Sequence, residues 1–193
     1  VTKKSVAVRL LSQSDAQRVS PDVWLAFAPI KNKTELVVEK AVELGVSRLL
    51  PVFTRHAVVR SVNHEKLSAH AIEAAEQCER HDVPPITECK DIAALLGSWP
   101  KERPLLYADE SGSGTDLKSV LSSLSTHSCG LLIGPEGGFN AQERQMLQRS
   151  DFVKAFGMGP RILRADTAAV AALACIQSWL GDWSEKPHFE AAS

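Results

Sequence analysis

Two glycine-rich interruptions of apolar runs hold the residues whose types suit chemistry. The first is Leu131-Leu132-Ile133-Gly134-Pro135-Glu136-Gly137-Gly138-Phe139; the second is Gly157-Met158-Gly159-Pro160-Arg161-Ile162-Leu163-Arg164-Ala165-Asp166-Thr167. Glycine permits positive φ and lets a ligand approach bare backbone, and turns at the carboxyl ends of strands are where α/β sheets bind small molecules. Glu136 lies among three glycines, and Arg161 and Arg164 flank an apolar pair. A preorganised guanidinium stabilises negative charge that develops during a reaction, so Arg164, Arg161 and Glu136 are the candidate catalytic groups. Each has a plainer reading. Either arginine could close an ion pair with Glu136 or Asp166. Glu136 could hold its own turn by accepting backbone N–H bonds, and Asp166 and Thr167 could cap the helix that follows.

The familiar nucleotide signatures fail. Gly112-Ser113-Gly114 follows an apolar run, but Leu117 occupies the third glycine position, and no Gly-Lys-Ser/Thr exists. Cys78, Cys89, Cys129 and Cys175 form no CxxC, and the six histidines form no ligand pattern, so no metal is expected.

Elements that would position the two turns follow from alternation of short apolar runs with segments of helical period, the pattern of an α/β domain with a mostly parallel sheet. Strands are expected at 23–28, 48–53, 104–108, 130–133 and 152–156, and helices at 34–43, 64–79, 116–124, 141–149 and from 166 or 167 to about 183. Thr34 is expected to cap the first helix and Gly45 to end it, while Pro84-Pro85 marks the end of the second. Small residues crowd the last helix, at Ala165, Ala168, Ala169, Ala171, Ala172 and Ala174.

The length of 193 residues, 44% of them hydrophobic, suits one core. Twenty-two Lys+Arg against 23 Asp+Glu exclude a polybasic coat, so any nucleic-acid contact must be focused. Lys31, Lys33, Arg55, Arg60 and Arg80 are the RNA-facing candidates; each also reads as a solvated charge, and Arg80 as a packing residue beside Gln77. No apolar run approaches a membrane span of about 20 residues. Scattered cysteines and the lack of a leader pattern at Val1-Thr2-Lys3-Lys4 lead us to expect a cytoplasmic protein with no membrane partner. A first residue other than Met, opening into the strand-like run from Ser5 to Leu11, leads us to expect that the chain begins inside a larger protein.

Together the two turns, Ile133 to Phe139 and Gly159-Pro160-Arg161-Ile162-Leu163-Arg164-Ala165-Asp166-Thr167-Ala168, resemble the signature of the RsmE family, SPOUT-class methyltransferases of a uridine in small-subunit ribosomal RNA. Lys31, Glu39-Lys40-Ala41, Glu43-Leu44-Gly45, Pro51, Ala75-Glu76-Gln77-Cys78, Arg80 and Pro84 fall in the family's order, so the resemblance spans about 23–183. It implies an α/β fold with a C-terminal deep trefoil knot, a homodimer, and S-adenosylmethionine as cofactor. It also implies ribosomal RNA or the assembled small subunit as partner, with N3 of uridine as acceptor. Residues 1–22 would then be the remnant and linker of an N-terminal PUA-like β-barrel, 23–185 the methyltransferase domain and 186–193 a flexible tail. The cofactor would be bracketed by Ala108, Ile133, Gly134, Pro135, Gly137, Gly138, Met158, Gly159, Ile162, Leu163 and Thr167. Two other readings stand beside this one: a non-catalytic RNA- or ribosome-binding module of the same fold, and an α/β enzyme for another adenine nucleotide.

Overall fold

A computed structural model describes residues 7–9, 11, 20–109 and 114–185. Most of the proposed N-terminal remnant, residues 111–113 of the glycine-serine loop and the 186–193 tail lie outside the described residues.

Alternation of buried residues explains the central strands. In β1 (Val23–Phe27), Val23, Leu25 and Phe27 face one layer while Ala26 faces the other. β6 (Cys129–Ile133) does the same with Cys129, Leu131 and Ile133 against Leu132. Burial on both faces is what a parallel sheet between helical layers requires. The remaining strands are β2 (Arg48–Phe53), β3 (Lys90–Asp91), β4 (Leu105–Ala108), β5 (Thr115–Asp116) and β7 (Val153–Gly157). Among the described residues the sheet runs β3-β2-β1-β6-β4-β7-β5 with every pairing parallel.

One face is covered by α1 (Thr34–Glu43), α2 (His64–Gln77), α4 (Leu117–Ser122) and α6 (Ala165–Leu180), the other by α3 (Ile92–Gly97) and α5 (Ala141–Gln148). Every expected strand and helix is present. The two-residue strands β3 and β5 and the helix α3 were not expected.

Several helix ends depart from expectation, among them the end of α4, at Ser122 rather than 124, and that of α6, at Leu180 rather than about 183. Lys33, not Thr34, is the N-cap of α1, because the Thr34 hydroxyl is occupied with Ile30, donating to its carbonyl at 2.8 Å and accepting from its N–H at 2.9 Å. α2 stops at Gln77, where Glu79 takes φ 57° and the Arg80 N–H returns to the Ala75 carbonyl at 2.9 Å, well before the prolines. α6 begins at Ala165 with Arg164 as N-cap, so Asp166 and Thr167 lie inside the first turn rather than at the cap position. Gly45 does end α1, at φ 73°. No helix among the described residues is long and apolar enough to cross a membrane.

Candidate active site

Three neighbouring strands, β6, β4 and β7, end side by side and open a cavity of about 290 Å³. That is the small end of ligand-pocket sizes. From β6 and its turn come Ile133, Gly134, Pro135, Glu136 and Gly138; from β4, Ala108; from the loop after β7, Met158, Gly159, Arg161, Ile162 and Leu163. All were sequence candidates.

The first turn is built by its glycines. The Gly138 N–H donates to the Pro135 carbonyl at 2.9 Å, with Gly138 at φ 65°. Gly134 is small for a packing reason: a Cβ there would meet the Phe139 ring at 2.8 Å. Phe139 is buried and stands edge-on to Tyr107, with ring centroids 5.7 Å apart. In the second loop Gly159 takes φ 86° with open space around it, so there the backbone conformation, not crowding, favours glycine.

Three candidates fall outside the lining. Gly137 faces away, where its Cβ would lie 3.0 Å from that of His56. Thr167 is exposed, since the helical period turns Ala165 and Ala168 to the cavity instead. Arg164 is exposed at the head of α6.

Neither arginine closes the ion pair that sequence left open. Among the described residues, the side chains of Arg161, Arg164 and Glu136 have no hydrogen-bond or ion-pair partner. Asp166 pairs with Lys33. That bond holds the Asp166 carboxyl below the ordinary carboxylate value, and it occupies one of the RNA-facing candidates. Glu136 accepts no backbone N–H, so it does not hold the turn as expected; it lines the cavity from an exposed position.

Of the other RNA-facing candidates, Lys31 and Arg55 are exposed, and their side chains have no partner among the described residues, whereas the Arg60 guanidinium donates to the carbonyls of Thr54 and Arg55. Arg80 lies elsewhere. Its guanidinium donates to the carbonyls of Val42 (2.9 Å) and Val46 (2.7 Å) and to both Asp82 oxygens, with the side chain 8% exposed. Its packing reading is therefore the one the geometry matches.

Sequence reasoning missed Tyr107, Asp109, Phe139 and Arg144, which also line the cavity. Tyr107 and Asp109 end the β4 run, where their place beside the glycine turns depends on strand order, which spacing does not encode. Arg144 donates to the Phe139 carbonyl from inside α5. Among the described residues, no group of three or more His, Cys, Asp or Glu could hold a metal ion.

The cavity suits a compact ligand with apolar and cationic parts. Bare backbone at Gly134, Gly138 and Gly159 permits close approach, Ile133, Met158 and Leu163 supply apolar walls, and Asp109 and Glu136 supply acidic groups.

Comparison with known proteins points the same way. The profile of an RNA methyltransferase domain matches residues 18–177. The ribosomal RNA small subunit methyltransferase E of Rickettsia conorii is 35% identical over 179 residues, covering 92% of this chain and 72% of that protein. The Bacillus subtilis protein of the same name is 31% identical over 189 residues, covering 91% and 73%. The structure of the Neisseria gonorrhoeae ribosomal RNA small subunit methyltransferase E bound to S-adenosyl methionine superposes with a TM-score of 0.75 at 28% identity, covering 89% of this chain and 71% of that one.

Proposed function

The chain belongs to the RsmE family of RNA methyltransferases, and from that premise we propose that it transfers the methyl group of S-adenosylmethionine to N3 of a uridine in small-subunit ribosomal RNA. The observation that carries this reading is the cavity itself: two glycine-bearing turns at the ends of β6 and β7, on either side of β4, with unpaired arginines beside it.

The cofactor supplies an activated methyl group on a sulfonium, and an in-line displacement asks the protein mainly for alignment and exclusion of water. Backbone at Gly134, Gly138, Met158 and Leu163 would hold adenine and ribose, with Ala108 closing the floor. Asp109 and Glu136 bring negative charge to a cationic ligand. On the acceptor side the N3 proton must leave, and charge spreads onto the two flanking carbonyl oxygens. Arg161 and Arg164, uncommitted to other groups of the described protein, would stabilise that charge; such donors contribute about 3 kcal/mol. Lys31 and Arg55 would meet phosphates.

A deep trefoil knot in the C-terminal crossings belongs to this reading and is supported by β4 lying between β6 and β7, whose loops meet over its end. So do a cytoplasmic location and a homodimer, the latter supported by Val170 and Trp179, exposed apolar residues on α6. The methyltransferase domain would occupy 23–185, with a PUA-like barrel sharing RNA recognition.

Mass spectrometry of ribosomal RNA from cells lacking the full-length gene tests the proposal. One uridine of the small subunit should lose one methyl mass and regain it on complementation; an unchanged methylation pattern would overturn the assignment.

A further inference from the structure

The turn 134–140 does not hold itself in place. Its outer side rests on the loop that follows β2, residues 54–63. The His56 Nδ1 lies 2.9 Å from the Gly137 carbonyl oxygen and 3.2 Å from that of Gly138. Carbonyl oxygens only accept, so Nδ1 must carry the proton.

A second tie is buried. Glu143 is 5% exposed, and its carboxylate is divided between the two segments: Oε1 accepts the Arg55 N–H at 2.7 Å, Oε2 the Asn140 N–H at 2.8 Å. Asn140 returns the bond by accepting the Glu143 N–H at 2.8 Å, which completes a capping box at the head of α5. A carboxylate accepts at both oxygens. A glutamine in the same place would turn an NH2 toward one of the two N–H donors. The supporting loop is itself braced, since the Arg60 guanidinium donates to the carbonyls of Thr54 at 3.0 Å and Arg55 at 2.9 Å.

We propose that Glu143 and His56 are positioning residues for methyl transfer, which fix the cofactor turn from outside the cavity through the loop that carries Arg55. The inference rests on the reading of the cavity as the S-adenosylmethionine site. Neither side chain lines that cavity, so both act through the backbone of Gly137 to Asn140, within which Gly138 and Phe139 are cavity walls.

Calorimetric titration of S-adenosylmethionine into the whole chain, paired with thermal melts, tests it. Glu143→Gln should weaken cofactor binding about tenfold, the scale of one lost bond to a charged acceptor. His56→Ala should weaken it by a smaller factor and, because the ring is exposed, leave the melting temperature near that of the parent. Asp22→Asn, which loosens the opposite end of the sheet, serves as the control: a lowered melting temperature with affinity within about twofold of the parent. Long-range 1H–15N spectra should place the proton of the neutral His56 ring on Nδ1.

If Glu143→Gln does not fold, His56→Ala and the ring spectrum decide. Unchanged affinity in the folded variants, or a His56 proton on Nε2, overturns the positioning role. Failure of the parent chain itself to bind S-adenosylmethionine overturns the reading of the cavity instead.

Discussion

The two ends of the sheet differ in what they leave open: both hold braced arginines, Arg60 and Arg144 among them at the carboxyl end, but only the carboxyl end keeps unpaired arginines beside the cavity. At the amino end Arg48, Arg80 and Arg103 are committed. Arg103 donates to the carbonyls of Asp22 (2.9 Å) and Cys129 (3.3 Å), pairs with the Asp22 carboxylate and stacks 4.0 Å over the Trp24 ring. Arg48 covers the same ring at 4.4 Å, and Arg80 ties the end of α1 to the turn after α2. At the carboxyl end Arg55, Arg161 and Arg164 are exposed, their side chains partnerless among the described residues. A guanidinium has five donors and no acceptor. Where the protein fills those donors it is using arginine as a brace; where Arg161 and Arg164 leave them open beside the cavity, they are available to a ligand.

Paired substitutions at the two ends sharpen this contrast. The largest effect is expected from arginine. Arg164→Ala should lower kcat on ribosomal RNA by about 10²- to 10³-fold with little change in melting temperature, the scale of a lost transition-state donor. Arg103→Ala should do the reverse, costing about 2 kcal/mol of stability in denaturant titration while the folded fraction turns over normally. Similar losses at both arginines, in both measurements, would erase the distinction.

Glycine gives the next contrast. Gly134→Ala would drive its Cβ to 2.8 Å from the Phe139 ring, a cavity wall, whereas Gly130→Ala would drive its Cβ to 2.3 Å from Trp99 at the amino end. Overpacking of this kind costs about 1–3 kcal/mol. The first should appear chiefly as weaker S-adenosylmethionine binding, the second as lower stability with binding kept.

Lys33 is another committed cation at the carboxyl end, and its pairing predicts a smaller, pH-dependent effect. The Lys33 bond lowers the Asp166 carboxyl below 3.8, so the pair's contribution is present above that value and is lost as pH falls through the lower, folded one. Asp166→Asn should therefore destabilise by at most about 1 kcal/mol near neutrality, with the gap to the parent closing in acid melts. A gap that persists or widens in acid would show another origin.

The smallest effect concerns thiols. Burial pushes Cys129 up to about 12, while Cys175 is exposed on α6. At about pH 8 a thiol reagent should label Cys175 and spare Cys129 until the chain unfolds, with mass spectrometry counting the adducts. Labelling of Cys129 in the native protein would show that the amino end opens.

What sequence revealed follows from what periodicity carries. Both glycine turns, the five longer strands and five of the six helices are local patterns, and each is legible from residues adjacent in the chain. Two-residue strands such as Lys90–Asp91 have no period to detect. α3 left a fainter signal: Asp91 caps it, and Ile92, Leu95 and Trp99 recur at near-helical spacing. In the site, the lining contributed by the two turns was readable, but partners distant in the chain were not. Lys33 and Asp166 are 133 residues apart, and Arg55 and Glu143 are 88 apart. Nothing in the spacing of either pair announces the contact. The Asn140-Ala141-Gln142-Glu143 capping pattern was visible and would have located one end of the second.

The central claim, that the two turns at the ends of β6 and β7 enclose S-adenosylmethionine, is tested most directly by equilibrium titration of that molecule against the parent chain and a variant carrying Gly138→Val. Gly138 is buried at φ 65°, a conformation a β-branched residue strongly resists. The parent should bind one equivalent with micromolar affinity and the folded variant should show no heat of binding. Equal binding by both, or tighter binding of ATP or NAD by the parent, would contradict the account.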